Sequence, residues 1–412
     1  MEKEINTIGY QLPGLDLLDE YIPESKLSDD EIDSKVEAIR NILESGKVHV
    51  KDIQPILGPA VTLYKVFPEN SDKISKVRLL LEDSALGLRF KGVRVVTLED
   101  SIGIEIANDH RETVPMRSVL NDDSFRNSKV ELPVAIGRTF GNAVKVFDLA
   151  KAPDLLIAGA TKQGKTEAIH AIVASLLYSK RPSELKFVFI DPKGCEFSVY
   201  KRLLKHYLAV LPAAGSEEEE AESAIIKNAK DAADVLDALC VEMNDRYDLL
   251  ALAGVNNIKK YNEKYKELKH LSNKGHEYLP YIVAVIDEYA DLTITISGAP
   301  EARAANRSVT NSIIRLAQKG RAVGIHVILT TQRPSASVIT RDIKMNFPMR
   351  IAFRTSSRVD SRTILDSSGA ECLIGSGDML FYDGVDMDRI QCALVGTKEI
   401  DRITKFIESR NE

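Results

Sequence analysis

The chain has 412 residues, of which 44% are hydrophobic and 28% are charged, and its formal net charge at pH 7 is −6. These values are typical of a soluble globular protein of two or three domains, and the negative charge argues against non-specific nucleic-acid binding by the surface as a whole. The apolar runs are too short to span a bilayer, the N-terminus does not resemble a secretory signal and the four cysteines are widely spaced, so we expect a cytoplasmic protein with reduced thiols and no membrane contact.

Residues 1–135 predict a small α/β domain. Residues 28–46 have the pattern of an amphipathic helix, in which three acidic residues follow Ser28 and Gly46 ends the helix. Segments 61–67, 93–96 and 102–106 alternate between apolar and polar residues, which is typical of strands. We recognise no catalytic motif in this part of the sequence.

The second predicted domain, residues 136–412, contains a phosphate-binding loop. Residues 159–166 read Gly-Ala-Thr-Lys-Gln-Gly-Lys-Thr and match G-x-x-x-x-G-K-[ST] at every fixed position. An apolar run precedes the motif and a helix-compatible stretch follows it, which is the strand–loop–helix context that phosphate binding requires. Lys165 can reach the β- and γ-phosphates, and the Thr166 hydroxyl can bind Mg²⁺. We therefore expect ATP and Mg²⁺ as cofactors, with the nucleotide bound by Gly159, Ala160, Thr161, Lys162, Gln163, Gly164, Lys165, Thr166 and Glu167.

Apolar runs and helical patterns alternate after this loop. The runs at 187–191, 282–287 and 325–331 are nearly continuous, which predicts buried strands of a largely parallel sheet. A helical pattern from Ala221 to Ala253 stops at Gly254, and the acidic run before it suits a helix N-terminus. Residues 259–274 and 297–308 predict surface loops, because they are polar.

A second chemical motif is the apolar run that ends in Asp287 and Glu288. Asp287 can hold Mg²⁺, and Glu288 can orient and polarise an attacking water. Binding alone does not need Glu288, whereas hydrolysis does. Gln332 lies at the end of the next apolar strand, where it can sense the γ-phosphate or the water; capping of the strand end is the alternative.

Positive charge is concentrated between Val309 and Arg362. The segment has ten Lys or Arg residues and only two acids, Asp342 and Asp360, so it carries about +8. Each of these cations alone is best interpreted as a solvated surface charge. Their concentration in an acidic protein predicts an anionic partner at this segment.

Several further segments resemble the motor of the FtsK/SpoIIIE DNA translocases. They are IDPK at 190–193, VIDEYADL at 285–292, RLAQKGR at 315–321, TQRPS at 331–335, DSRTILD at 360–366 and GDML at 377–380. Residues 9–13 and 93–108 resemble the small α domain of that family. The resemblance covers most of residues 9–396, and its motifs occur in the family's order.

The resemblance implies a RecA-like P-loop NTPase core below the α domain, assembled as a homo-hexameric ring around double-stranded DNA, with ATP between subunits. It assigns Arg321 to a finger that reaches the neighbouring subunit's site. We place Arg321 three residues past Gln318, where a helical pattern ends. The resemblance also assigns Arg333, Lys344 and Arg358 to the DNA-facing side of the pore, and we expect them at loop ends.

The sequence departs from the family in three places. The family's membrane segments and its C-terminal winged-helix module are missing, so we expect a motor core that is either part of a longer protein or a naturally short relative. Thr161-Lys162-Gln163 stands where relatives usually have Thr-Gly-Ser. Two other classes remain open: a related ring ATPase that exports protein, as in type VII secretion, and a module that uses ATP only as a switch.

Overall fold

The computed structural model describes residues 10–21, 28–69, 79–80, 93–152, 154–211, 221–267, 277–294 and 300–410. These residues form two separate hydrophobic cores, one in the small N-terminal domain and one around a large sheet. The acidic run at 217–220 lies outside the described residues.

The small domain packs one helix on a four-stranded antiparallel sheet. Its elements are α1 (Asp29–Ser45), β1 (Val50–Ile56), β2 (Val61–Pro68), β3 (Arg94–Thr97) and β4 (Ile102–Ala107), and the strand order is β1-β2-β4-β3. The Ser28 hydroxyl accepts a hydrogen bond from the Glu31 N–H and caps α1. The predicted helix and three predicted strands are confirmed; β1 was not predicted, because Pro55 interrupts its alternation.

The rest of the chain builds a ten-stranded sheet with helices on it. Its first half contains α2 (Met116–Leu120), α3 (Asp123–Arg126), β5 (Pro133–Arg138), β6 (Val144–Asp148), β7 (Asp154–Ala158), α4 (Lys165–Leu177), β8 (Leu185–Ile190), β9 (Ile225–Ile226), α5 (Ala229–Ala253) and α6 (Ile258–Glu267). Its second half contains β10 (Tyr281–Ile286), α7 (Tyr289–Thr293), α8 (Pro300–Val323), β11 (Ile325–Thr331), α9 (Arg341–Asn346), β12 (Met349–Phe353), α10 (Arg358–Leu365), β13 (Asp378–Tyr382), β14 (Met387–Cys392) and α11 (Thr397–Glu408).

The strand order in this sheet is β6-β5-β14-β13-β12-β7-β11-β10-β8-β9. The six strands from β12 to β9 are parallel, and the four on the other side of β12 are antiparallel. The prediction of an α/β fold with a largely parallel sheet is therefore confirmed. Because the strands β7, β11, β10 and β8 are parallel, the segments that follow them meet at one edge of the sheet.

The predicted domain boundary near residue 135 lies inside β5. Residues ahead of it, such as Met116 and Leu132, already belong to the large core, and so does Leu18 near the N-terminus. The small core takes its buried residues from Ile39 to Ile106. The two cores thus meet at the segment between β4 and α2.

Three predicted boundaries in the second domain were wrong. The long helix begins at Ala229 rather than at residue 221, because Asn228 caps it and Ile225–Ile226 pair with β8 as an edge strand. Residues 258–267 form α6 rather than a loop, since Ile258 and Tyr261 are buried on one side. The polar stretch 300–308 is the start of α8, where Pro300 occupies the first turn and small helix-forming residues follow.

Candidate functional site

The phosphate-binding loop joins β7 to α4 and is held closely against neighbouring chain. A Cβ at Gly159 would lie 2.6 Å from the Cβ of Phe353, and one at Gly164 would lie 2.8 Å from the Cα of Gly377. Gly164 also has a φ of 123°, which favours glycine. The Ala160 N–H donates to the carbonyl of Arg354 at 2.9 Å, which ties the loop to the end of β12. Both loop glycines are therefore required by geometry.

Lys162 is exposed and has a φ of 61°, a left-handed conformation that glycine adopts more easily. Lys162 and Gln163 are the two positions at which the loop departs from the family pattern. The exposed Lys162 side chain places a positive charge at the mouth of the loop.

Lys165 and Asp287 form a buried ion pair between the loop and the end of β10. Lys165 Nζ lies 2.6 Å from Asp287 Oδ1, and the two side chains are 5% and 1% exposed. Thr330 Oγ1 donates to the same Oδ1 at 3.1 Å. Asp287 Oδ2 is buried and has no hydrogen-bond partner among the described residues. A buried carboxylate oxygen without a partner fits a cation ligand, so Asp287 and Thr166 are the residues that would hold Mg²⁺.

Glu288 follows Asp287 and is held in place from three sides. Thr331 Oγ1 donates to its Oε1 at 2.8 Å, the Gln332 N–H donates to its Oε2 at 3.0 Å, and Lys193 Nζ lies 3.7 Å from Oε2. Its φ of 44° is unusual for a residue other than glycine, and such strain is concentrated at functional sites. The carboxylate is therefore fixed in orientation at the carboxyl end of β10.

Gln332 belongs to the same cluster. Its Oε1 accepts a hydrogen bond from Thr161 Oγ1 at 2.9 Å, which joins the end of β11 to the phosphate loop. The Gln332 side chain thus contacts the phosphate loop, whereas the alternative role was to cap the end of its own strand. The structure brings Lys165, Asp287, Glu288 and Gln332 together at one edge of the sheet.

The loop that follows β8 brings three residues to the site that the sequence analysis did not assign to it, Asp191, Lys193 and Glu196. Asp191, at the end of β8, accepts hydrogen bonds from four backbone N–H groups of residues 193–197 and so shapes this loop. The loop brings Lys193 to within 3.7 Å of Glu288 and places Glu196 near Asp287 and Lys165. Burial, followed by the charge of Asp287, raises the pKa of Glu196. The sequence did contain a signal for this loop, since the apolar run of β8 ends in polar residues as that of β10 does. Because β8 lies beside β10 in the sheet, the residues that follow the two strands come close together.

Arg321 lies far from this cluster in its own chain. It occupies the last turn of α8, which runs to Val323 and does not end near Gln318 as expected. The helix leads into the start of β11, whereas Gln332 follows the end of that strand. The seven residues of β11 separate the two edges of the sheet by about 20 Å at roughly 3.3 Å per residue. Arg321 is exposed and has no ion pair within the described ranges.

The three predicted DNA-facing cations lie on separate elements, and one of them, Lys344, is not at a loop end. Arg333 follows β11 and is 62% exposed, with Asp291 at 4.0 Å. Lys344 lies in α9 and pairs with Asp366, so the expected loop was wrong. Arg358 is the first residue of α10, which Ser357 caps, and it pairs with Glu371 at 3.2 Å.

Part of the positive stretch from 309 to 362 is structural. Arg350 is buried and donates to the carbonyls of Phe347, Ile364 and Lys344 and to the carboxylate of Asp366. Its charge stabilises the packing of α9, β12 and α10 and is not displayed to a partner. The excess of +8 therefore overstates the charge at the surface.

Comparison with protein families agrees with this arrangement. Residues 12–108 match the family model described as the FtsK alpha domain, and residues 115–336 match that of the FtsK/SpoIIIE family. The DNA translocase FtsK of Haemophilus influenzae is 38% identical over 97% of this chain, which covers 76% of that protein. The chain belongs to the FtsK/SpoIIIE family. The DNA translocase FtsK of Chlorobaculum tepidum is 42% identical over 97% of the chain, which spans only 48% of that relative.

Two solved structures share the fold of the FtsK/SpoIIIE chain. The pCW3 conjugation coupling protein TcpA, solved as a monomer form with ATPγS, aligns with a TM-score of 0.61 at 23% identity, over 90% of this chain and 99% of TcpA. The cytoplasmic domain of the Thermomonospora curvata type VII secretion ATPase EccC aligns at 0.56 and 22% identity, over 73% of this chain and 35% of EccC. Across the described ranges, no helix combines the length and the apolarity needed to cross a bilayer.

Proposed function

We propose that this chain is the motor core of an ATP-driven double-stranded DNA translocase that works as a homo-hexameric ring. One observation carries the proposal: Lys165 of the phosphate loop pairs with Asp287, and the next residue, Glu288, is oriented by Thr331 and Gln332. This combines a phosphate-binding lysine, a metal-binding carboxylate and a water-orienting carboxylate at one sheet edge. Relatives named as DNA translocases support DNA as the substrate.

Each residue of the site has a separate role in the proposed hydrolysis of ATP. Bound ATP with Mg²⁺ supplies the phosphoanhydride bond whose hydrolysis releases free energy. Lys165 neutralises phosphate charge, and Thr166 and Asp287 hold the cation through oxygen. Glu288 orients a water and accepts its proton, while Thr331 and the Gln332 N–H keep the carboxylate in place.

The position of Arg321 supports the proposed assembly into a ring. A finger arginine must reach the phosphates, and about 20 Å of sheet separates Arg321 from the phosphate loop of its own chain. As such a finger, the exposed side chain of Arg321 would act on the site of a neighbouring subunit. A closed ring supplies such a neighbour to every subunit.

ATP hydrolysis by the purified chain, measured with and without duplex DNA, tests the proposal. We expect Mg²⁺-dependent hydrolysis that rises when duplex DNA is added and disappears when Mg²⁺ is chelated. A protein-export motor would ignore DNA, and a switch module would bind ATP without turnover. An ATPase rate that duplex DNA leaves unchanged contradicts the proposal.

A further inference from the structure

The last turn of α8, which carries Arg321, is held by two consecutive residues of α5. The hydroxyl of Tyr247 donates to the carbonyl of Lys319 at 2.8 Å. Nη1 of Arg246 donates to the carbonyl of Val323 at 2.9 Å. The two acceptors lie two residues before and two residues after Arg321, so α5 holds the backbone on both sides of it.

Arg246 and the start of β11 fix this turn against the sheet. The same Nη1 of Arg246 donates to the carbonyl of Pro280 at 2.8 Å, directly before β10. A Cβ on Gly320 would lie 2.3 Å from the carbonyl oxygen of Ile325, so the end of α8 passes β11 too closely for any side chain there. The backbone around Arg321 is therefore tied to α5, β10 and β11 at once.

Arg246 is a charged residue in the interior. Its side chain is 2% exposed, and its carboxylate partner, Glu242, is 42% exposed. A buried charge is destabilising unless it is paired and fully hydrogen-bonded, and an apolar side chain of similar size often replaces it without loss of stability. The two carbonyls that Arg246 binds thus indicate a role in fixing the end of α8.

Arg321 itself lines an open cleft of about 750 Å³ together with Tyr247, Lys319 and Asn257. Its side chain is exposed and makes no ion pair in the part of the chain that the structure describes. A catalytic group must be placed to within about 0.5 Å of its productive position. For Arg321 this precision depends on the backbone that carries it, because no acidic group of the described chain holds the guanidinium.

We propose that Arg246 and Tyr247 are positioning residues that aim Arg321 at the nucleotide of a neighbouring subunit. The inference rests on the proposed function, because it requires Arg321 to act as a finger within a ring. Both residues act through the backbone of α8 and need no contact with a nucleotide. The inference gives α5 a part in catalysis, although α5 contains none of the nucleotide-binding motifs.

Tyr247→Phe tests the exposed donor, since it removes one hydroxyl and keeps the aromatic ring. We expect kcat for ATP to fall by about 10-fold, because a displacement of about 1 Å at a catalytic group costs up to roughly 10²-fold. The affinity for ATPγS, measured by titration calorimetry, should stay within about twofold of the parent. Tyr382→Phe is the control, since Tyr382 also donates to a backbone carbonyl at 2.8 Å, that of Gly384. The control should match the parent, and a parental kcat in Tyr247→Phe would overturn the inference.

Mixed rings show on which side of an interface the defect lies. Tyr247→Phe keeps an intact phosphate loop, so mixing with Lys165→Ala, which has an intact finger, should raise the rate per Tyr247→Phe subunit. Mixing with Arg321→Ala should not raise this rate, because every finger in the ring is then defective. The reverse pattern would show that Tyr247 acts on the site of its own subunit and would overturn the inference. Recovery in neither mixture would indicate a general structural defect and would overturn it as well.

Arg246→Met tests the buried donor in the same assays. It should lower kcat by about 10²-fold, and Arg246→Lys, which keeps an N–H donor, should lose less. A parental kcat in Arg246→Met would contradict the role of this residue, and Tyr247→Phe decides the inference if Arg246→Met does not fold. The mixture of Arg321→Ala with Lys165→Ala is the reference for all mixed rings. An inactive reference mixture would overturn the proposed action between subunits, and the inference with it; an active one, without the expected pattern for Tyr247→Phe, would overturn the inference alone.

Discussion

Glu288 is the residue whose surroundings say most about hydrolysis. It is 1% exposed, has a positive φ and is fixed by donors from β11 and from the loop after β8. Holding a carboxylate in this way costs free energy, both in backbone strain and in desolvation.

Glu288→Gln should therefore keep nucleotide binding and slow turnover by about 10²–10⁴-fold, because an amide cannot accept the proton of the attacking water. Steady-state ATPase rates and ATPγS affinity would be measured together. Glu301→Gln, at an exposed position in the first turn of α8, is the control and should match the parent in both. Hydrolysis by Glu288→Gln at the parental rate would show that another group activates the water.

At the scale of single residues, the sequence predicted the site residues that belong to a motif. It missed the residues that come close to the site only because of the order of the strands in the sheet. Lys165, Asp287 and Glu288 follow from two short patterns. Thr331 and Lys193 reach Glu288 because β11 and β8 lie on either side of β10, which spacing along the chain does not reveal. The roles of all these residues remain predictions until they are measured.

The helix α8 carries Arg321 to the sheet edge opposite the phosphate loop. Arg321→Ala should lower the ATPase rate by about 10³-fold or more, the usual effect of an arginine finger. Lys165→Ala should be inactive as well. Mixtures of the two variants should recover part of the activity, because some interfaces then join an intact Arg321 to an intact Lys165.

Arg315→Ala provides the control on the same helix, since Arg315 is exposed and contacts only the side chain of Asn244 in the described residues. It should hydrolyse ATP at the parental rate. Co-purification through two different tags would establish that the mixed rings contain both variants. Mixed rings that stay inactive in every proportion would contradict action between subunits.

The elements that carry Arg333, Lys344 and Arg358 present these cations separately, and an acid lies near each. If they bind DNA phosphates, replacing all three with Ala should weaken duplex binding and reduce its salt dependence by about 0.9 log units per log unit of salt for each phosphate that is no longer neutralised. Fluorescence anisotropy at several salt concentrations would measure this. Replacing the exposed lysines 51, 260 and 398 removes equal charge and should leave the slope unchanged. If the triple alanine variant bound duplex DNA with the salt dependence of the parent, Arg333, Lys344 and Arg358 would not contact DNA phosphates.

Among helices and strands, the sequence predicted strands better than helix boundaries. Continuous apolar runs identified β8, β10 and β11, since a strand buried on both faces needs them. The starts of α5 and α8 and the whole of α6 were missed, because polar exposed faces hide a narrow buried side. The helical position of Lys344 was missed for the same reason.

The two domains are joined by a buried charge network. Arg389 of β14 donates to both carboxylate oxygens of Asp378, at 2.9 and 2.7 Å, and to Glu105 of the small domain at 2.7 Å. Arg94 also donates to Glu105, at 3.1 Å. The carboxylates of Asp378 and Glu105 are each 4% exposed or less, so their negative charges are compensated by the arginines and not by water.

Arg389→Met should lower the free energy of unfolding by about 3–5 kcal/mol, because it leaves the buried carboxylate of Asp378 without an arginine and that of Glu105 with Arg94 alone. Urea denaturation would measure the decrease. Lys145→Met is a matched control on the adjacent part of the sheet, where Lys145 pairs with Asp388 in partly exposed surroundings. Its effect should be about 0–1 kcal/mol. Equal decreases in the two variants would contradict a structural role for the network.

Movement along duplex DNA distinguishes a translocase from an ATPase that only binds DNA, and displacement of a third strand measures this movement directly. A linear duplex carries a triplex-forming oligonucleotide away from its ends, and release of this strand is followed after the protein is added. We predict release that requires hydrolysable ATP and Mg²⁺ and that Glu288→Gln abolishes. A chain that hydrolyses ATP and binds the duplex but never releases the third strand, or that releases it equally well with Glu288→Gln, would contradict translocation by this motor.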